Sequence, residues 1–464
     1  MSVLELDIST SPEAVFRANG GGSGAFWFDG PADGGATFMG FPCTAQLALR
    51  ADGVVEIRDA HGAREERSDA LAAIERFVTE APPIASSDAP HTVGFFAYDL
   101  VGLLEPHVRP RRDASAVLPL AWLARHDAVI EIPRGGDARR VRIHAIDDAS
   151  AARCAERVRR ADAVAARATH GPAGDAPRLL ETPREERHVR AVRRALDYVA
   201  AGDVYQVNLA QRFRVRSALP PFDAFLRLRA AQPVPFAAFL DCGDFAILCG
   251  SPERFLRVRG AAIETEPIKG TRPRGADDGA DRALREALCA DAKERAEHVM
   301  IVDLERNDLG RVCETGTVHV PSLMRVESFA TLHHMVSTVR GTLRPEVGLG
   351  ELLRATFPGG SITGAPKIRA AQVIAELEDA PREIYTGALF RFRGARDFDS
   401  AIAIRTAVAR DGEYAYHAGG GIVADSDPVR EHRECLLKAE PFLRALGVPD
   451  SAASAASGGD RGAA

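Results

Sequence analysis

Val189, Val192, Leu196 and Val199 recur at intervals of three and four, the spacing of one helix face, and the run stops at Gly202-Asp203. Directly afterwards the period drops to two. Tyr205, Val207 and Leu209 point one way while Gln206 and Asn208 point the other, as side chains do along a strand. Phe245–Cys249 is a short apolar strand closed by Gly250-Ser251-Pro252-Glu253, and Ile263, Thr265, Pro267 and Lys269 share one face if that stretch is extended. From residue 240 onward the order reads strand, strand, helix, helix, strand.

Residues 1–168 read as a β-rich subdomain: Gly94 to Asp99 and Ala128 to Ile132 as strands, Gly20 to Gly24 as a loop, and 149–167 as a charged helix. Thr169 to Pro177 is dense in Gly, Pro and Ala, which places a linker at 169–184 before a second domain at 185–445. The tail at 446–464 is rich in Ala, Ser and Gly, lacks apolar anchors, and is expected to be disordered. Internal repeats are absent.

Composition narrows the function. The 464 residues are 46% hydrophobic, enough for a sizeable core. Acidic residues (65) outnumber basic ones (59), for a net charge of -6 with the signs interspersed, which argues against a nucleic-acid partner. Seven scattered cysteines without a CxxC suit reduced thiols rather than a disulfide framework or zinc site. Met1 to Asp7 carries no basic region ahead of an apolar run, and no apolar stretch reaches membrane-spanning length. The expectation is a soluble cytoplasmic protein with no membrane contact.

Lysine is scarce. Only Lys269, Lys293, Lys367 and Lys438 occur, against 55 arginines. Arginine supplies a fixed charge but stays protonated, so a chain this sparing with lysine can reserve it for sites needing a titratable amine. Lys269, in Glu266-Pro267-Ile268-Lys269-Gly270-Thr271, follows Glu253 on a neighbouring strand. An acid and an amine facing one pocket supply a general acid and a nucleophile, provided the amine is neutral.

Glu294 with Glu297, and Glu431 with Glu434, lie three apart, and Lys438 follows Glu434 by four. On helices each set shares a face, and two such faces together could hold Mg²⁺. The plain readings are equally available from spacing: Asp291 and Glu294 form a capping box, Asp427-Pro428 starts a helix, and Glu434–Lys438 is an i,i+4 ion pair. Pro358 to Lys367 is a glycine-rich approach to a helix, suited to an anion or to a structural junction; Lys367 in its first turn hints at an anionic neighbour. Gly419-Gly420-Gly421 permits close ligand approach or a tight bend.

Together these segments resemble the chorismate-utilising enzymes, which include anthranilate synthase component I, aminodeoxychorismate synthase component I, isochorismate synthase and salicylate synthase. The resemblance rests on Gly202 to Leu209, Ser251 to Phe255, Pro267 to Thr271, Glu297-His298 through Asp303 to Gly310, the loop at 359–367, and Gly419 to Lys438. It is strong over 185–445 and looser before. It implies an α/β (α+β) fold of two large, mostly antiparallel sheets packed face to face with flanking helices. It also implies Mg²⁺ held by Glu297 and Glu434 with Glu431 and Glu294 nearby, Lys269 as nucleophile and Glu253 as general acid. Tyr385, Arg405, Gly419, Gly420, Gly421 and Lys438 would bind substrate carboxylates. Gln206, Gly270, Thr271, His334, Ser361 and Thr363 would complete the substrate region.

Two positions separate the branches. Isochorismate and salicylate synthases carry a water-activating lysine where this chain has Gln206, and anthranilate synthases usually have alanine where it has Lys269. The pattern implies an aminodeoxychorismate synthase component I, with anthranilate synthase component I as the alternative. No cysteine sits in a nucleophile-elbow context, so ammonia is expected from a separate glutaminase subunit. The Asp303 to Gly310 signature is expected to brace the fold.

Overall fold

The computed structural model describes residues 1–449 except 31–34, 68, 85–87, 112–117, 136, 168–174 and 330–331. Its strands form two sheets of twelve. In the first sheet, Ala246–Ser251 lies between Phe236–Asp241 and Thr406–Arg410, and Glu413–Ile422 lies between Thr406–Arg410 and Gln206–Arg216. In the second, Leu332–Thr342 pairs with Ile268–Pro273, Ala262–Glu266 and His319–Ser328. These pairings are antiparallel, as are those that join the early strands to the late ones.

Alternation along the strands explains why the sheets stack. In Ala246–Ser251, Ile247 and Cys249 face the other sheet while Ala246 and Leu248 face the outer helices. Phe26, Phe28, Val93, Phe95, Trp122, Leu240 and Leu389, drawn from both sheets, fill the space between them. A strand covered on both faces must be apolar throughout, which is why such segments stand out in the sequence. Helices Pro12–Ala18, Asp148–Ala165, Pro221–Ala231 and Pro428–Ala445 cover the outside of the first sheet. Ala70–Thr79 and Leu349–Thr356 cover the outside of the second.

The boundary at 168/185 separates stretches of chain, not sheets. Phe26–Phe28 pairs with Phe236–Asp241, and Thr92–Phe96 pairs with Ala388–Gly394, so each sheet draws strands from both sides of it. Of the expected linker, Arg178–Glu181 is an edge strand on Gln206–Arg216, and 168–174 lie outside the described residues. The last helix ends at Ala445; most of the expected tail, 450–464, also lies outside them.

Two chain crossings between the sheets prepare the site. Ser251 ends a strand of the first sheet and Arg254 begins one of the second, leaving Pro252-Glu253 as the bridge. Proline has no N–H to offer a ladder, so pairing breaks there. Ile402 ends a strand of the second sheet and Thr406 begins one of the first, with Arg405 between them at φ +51°. A side-chain-bearing residue in that left-handed region is strained, and it persists here because neighbours on both sides are locked in sheets. The crossings are stitched together: Gly250 N donates to Arg405 O at 2.9 Å, and Ile402 N donates to Glu253 O at 3.0 Å.

Candidate active site

Lys269 and Glu253 meet where the two sheets exchange strands. Ile268–Pro273 pairs with Leu332–Thr342, and the register slips between Lys269 and Thr271 at Gly270, whose φ is +75°. Such a bulge re-aims the side chains around it. A Cβ on Gly270 would lie 2.9 Å from Leu288 and 3.3 Å from a Glu294 carboxylate oxygen, so the position needs glycine for both backbone and space.

The other lysines all have carboxylate partners: Lys293 with Glu297 at 3.8 Å, Lys438 with Glu434 at 2.7 Å, and Lys367 with Asp308. Lys269 alone forms no ion pair among the described residues. Its amine pKa is pushed down by burial and by Lys438, against the pull of Glu253, Glu297 and Glu294. Glu253 shifts the opposite way. Burial raises its pKa, against the Ser361 hydroxyl, Lys269, the Ile268 amide and Arg405. Ser361 Oγ donates to Glu253 Oε1 at 2.7 Å, and Ile268 N lies at 3.4 Å. The two groups are therefore moved toward a neutral amine beside a protonated acid.

Thr271 and His334 face each other across the same strand pair, Oγ1 to Nδ1 at 2.9 Å. Burial, reinforced by Arg405, lowers His334 to about 4, so its imidazole is neutral near pH 7. Thr363 directs its hydroxyl into the loop, donating to Gly359 O at 2.8 Å, and is buried. Tyr385 is also buried, stacked on His417 at 5.4 Å, with the Arg382 guanidinium carbon 5.5 Å from its ring centroid.

Helices Ala292–Gly310 and Pro428–Ala445 bring their carboxylates within electrostatic reach of one another and of Lys269. The local readings hold: Asp291 accepts from the Lys293 and Glu294 amides at 3.1 Å, and Asp427 accepts from Arg430 N at 2.9 Å. The faces nevertheless interact. Burial raises Glu297, with Glu294 and Glu434 adding repulsion; burial also raises Glu431, with Glu434 adding to it. For Glu434, burial is outweighed by Lys438, Lys269 and Lys293, and its pKa falls. Among the described residues no three carboxylate, histidine or cysteine side chains form a ready-made metal cage. Mg²⁺ does not require one, because it keeps waters and is completed by substrate oxygens. An open, mutually repelling set of carboxylates suits such a cation.

The glycine run has separate reasons at each position. A Cβ at Gly420 would lie 3.1 Å from Glu431 Oε2, and one at Gly421 would lie 3.0 Å from the Gln206 amide. A Cβ at Gly419 would strike the Leu209 carbonyl oxygen of the neighbouring strand. Gly419→Ala is expected to destabilise the fold by about 1–3 kcal/mol, measured by urea unfolding, because backbone cannot yield as a side chain can. Gln206 is fully buried, and among the described residues neither its amide oxygen nor its nitrogen has a hydrogen-bond partner. Lys438 Nζ donates to Gly419 O at 2.8 Å, which ties the helix to the glycine strand.

Sequence reading missed Arg382. Its buried guanidinium donates to Glu378 at 2.7 and 2.9 Å, to Asn208 O at 2.7 Å and to Thr386 Oγ1 at 2.9 Å. It anchors the strand bearing Gln206 to the loop before Tyr385. The anionic neighbour hinted at by Lys367 is Asp308 of the same chain.

A family model described as chorismate binding enzyme matches residues 24–444. The chain belongs to the chorismate-binding enzyme family. The match reaches well into the N-terminal stretch, where the sequence resemblance was loose, because those strands complete both sheets. The chain is 46% identical over 285 residues to an aminodeoxychorismate synthase of Streptomyces pristinaespiralis, covering 61% of this chain but 39% of that protein. It therefore spans about two fifths of that relative's length. It is 42% identical over 355 residues to aminodeoxychorismate synthase component 1 of Klebsiella aerogenes, covering 76% of each. Proteins named anthranilate synthase component 1 match at 43% to 46% identity. The crystal structure of anthranilate synthase component I from Streptococcus pneumoniae superposes with a TM-score of 0.75 at 29% identity, covering 87% of this chain and 91% of that one.

Proposed function

We propose that this chain is a component I aminodeoxychorismate synthase, converting chorismate and ammonia to 4-amino-4-deoxychorismate. The observation that carries the reading is Lys269, the one lysine without a carboxylate partner among the described residues, its amine shifted toward neutrality beside an acid shifted toward protonation. The lysine-to-carboxylate matches elsewhere in the chain exclude a general shortage of acidic partners.

Arg405, whose charge reaches both Glu253 and His334, and Lys438, paired with Glu434, offer cations to the substrate's two carboxylates. Mg²⁺ held by Glu297 and Glu434, with Glu431 and Glu294 beside them, would bind the ring carboxylate and draw electron density from the diene. The neutral Lys269 amine attacks ring C2 as the C4–oxygen bond breaks, and Glu253 gives its proton so that the hydroxyl leaves as water. Ammonia then adds at C4, the C2–nitrogen bond breaks, and Lys269 departs as an amine. The Glu253 carboxylate takes the surplus proton from the new ammonium group, which restores the starting state. Thr271 and the neutral His334, hydrogen-bonded to each other on the strand pair that carries Lys269, complete the substrate region.

Ammonia is assigned to a glutaminase partner, as the component 1 name of the Klebsiella relative suggests. Anthranilate synthase is the second reading, since proteins of that name match at similar identity. Incubation with chorismate, ammonium and Mg²⁺ separates the two. The expected product is non-fluorescent, retains its enolpyruvyl group, and yields para-aminobenzoate only after a lyase is added. Fluorescent anthranilate with free pyruvate would overturn the proposal.

A further inference from the structure

The helix Ala292–Gly310 carries carboxylates near both ends, and only those near its start interact with Glu434 of the last helix. Glu305 and Asp308, near its C-terminus, are 3% and 2% exposed. Burying two carboxyl groups together is costly unless each is answered. Asp308 is answered by Lys367, which also donates to Thr356 O at 2.8 Å. Glu305 forms no ion pair among the described residues. Its contact is the amide of Gly360, which donates to Oε1 at 3.2 Å. Glycine keeps that approach close, because a Cβ at Gly360 would displace the Leu304 side chain and lie 3.3 Å from Glu305 Oε1.

The next residue is Ser361, whose hydroxyl lies on Glu253 at 2.7 Å. Apart from that hydroxyl, only the Ile268 amide, at 3.4 Å, is hydrogen-bonded to the Glu253 carboxyl among the described residues. Two buried acids thus grip adjacent positions of one loop, one through the backbone of Gly360 and one through the side chain of Ser361.

We propose that Glu305 is a positioning residue for the acid–base step: through the Gly360 amide it holds Ser361 Oγ on Glu253 and so orients the carboxyl that exchanges a proton with the substrate. This rests on the reading of Glu253 as the general acid. Burial and the neighbouring Asp308 raise the Glu305 pKa, with Lys367 opposing and Glu253 adding. Glu305 therefore places little extra negative charge behind Glu253. Burial raises the Asp308 pKa as well, against Lys367 and Arg311.

A double-mutant cycle on Glu305 and Ser361 tests this. Glu305→Ala and Ser361→Ala should each lower kcat for chorismate consumption by 10- to 100-fold with KM for chorismate within threefold. The double variant should be no more than threefold worse than the poorer single one. Glu305→Gln, which keeps the acceptor for Gly360, should recover most of the loss. Multiplying losses in the double variant, equal damage to kcat and KM, or no recovery with glutamine would each overturn the inference. If the unsubstituted protein consumes no chorismate, the functional reading fails on its own. The link is then read from urea midpoints of the same four proteins, where additive losses overturn it and non-additive losses sustain it.

Discussion

Lys269→Ala should lower the rate of chorismate turnover by at least the ~10²–10⁴-fold typical of losing a positioned catalytic group, with the urea midpoint nearly unchanged. The effect is expected to be this large because no neighbouring amine can replace Lys269. Lys293, Lys367 and Lys438 are each held by a carboxylate. Arg405 reaches the same pocket, but its guanidinium stays protonated and is no nucleophile. Lys269→Arg should therefore fail as badly as alanine, although it keeps the positive charge that Glu253 and Glu297 face. That comparison separates covalent from electrostatic roles. Near-normal turnover in the arginine variant, measured by chorismate disappearance, would mean that the residue supplies only charge. Stability should change little, because the half-buried Lys269 has no ion pair among the described residues to lose.

Glu253→Gln should cost roughly 10²–10⁴-fold in kcat, since the amide keeps the size and the Ser361 contact but has no acidic proton to give. The pH profile follows from the directions of the two shifts. Lys269 must be neutral to attack, so the rate rises with pH through its lowered pKa. Glu253 must be protonated to release the hydroxyl, so the rate falls as pH rises through its raised pKa. The result is a bell whose acid limb belongs to Lys269 and whose alkaline limb belongs to Glu253. The glutamine variant should lose the alkaline limb and keep the acid one, measured as kcat against pH; an unchanged alkaline limb would remove Glu253 from the acid role.

Much of this site could be read along the chain because its parts are local. The spacing of Glu294 and Glu297 places them on one helix turn, and the alternation from Tyr205 to Leu209 turns Gln206 away from the covering helices. Val207 and Leu209 do pack against those helices, while Gln206 is buried on the other face. The apolar run ending at Cys249 became the strand Ala246–Ser251, with both faces covered. Asp303 to Gly310 was the opposite case. Its motif was visible, but Glu305 and Asp308 gain meaning only from Gly360 and Lys367, more than fifty residues further on.

Sequence alone determined the elements, the chemical types in the site and the scarcity of lysine, because period, capping and composition act within a few turns of chain. Tertiary structure decided which of the four lysines goes without a carboxylate partner among the described residues, and that Glu294 and Glu297 come within electrostatic reach of Glu434 and Glu431. It also decided that Phe26–Phe28 would complete a sheet begun at Phe236–Asp241. Those outcomes depend on strand order and on burial by distant residues, and a pKa shifted by desolvation exists only once the chain has closed around the group.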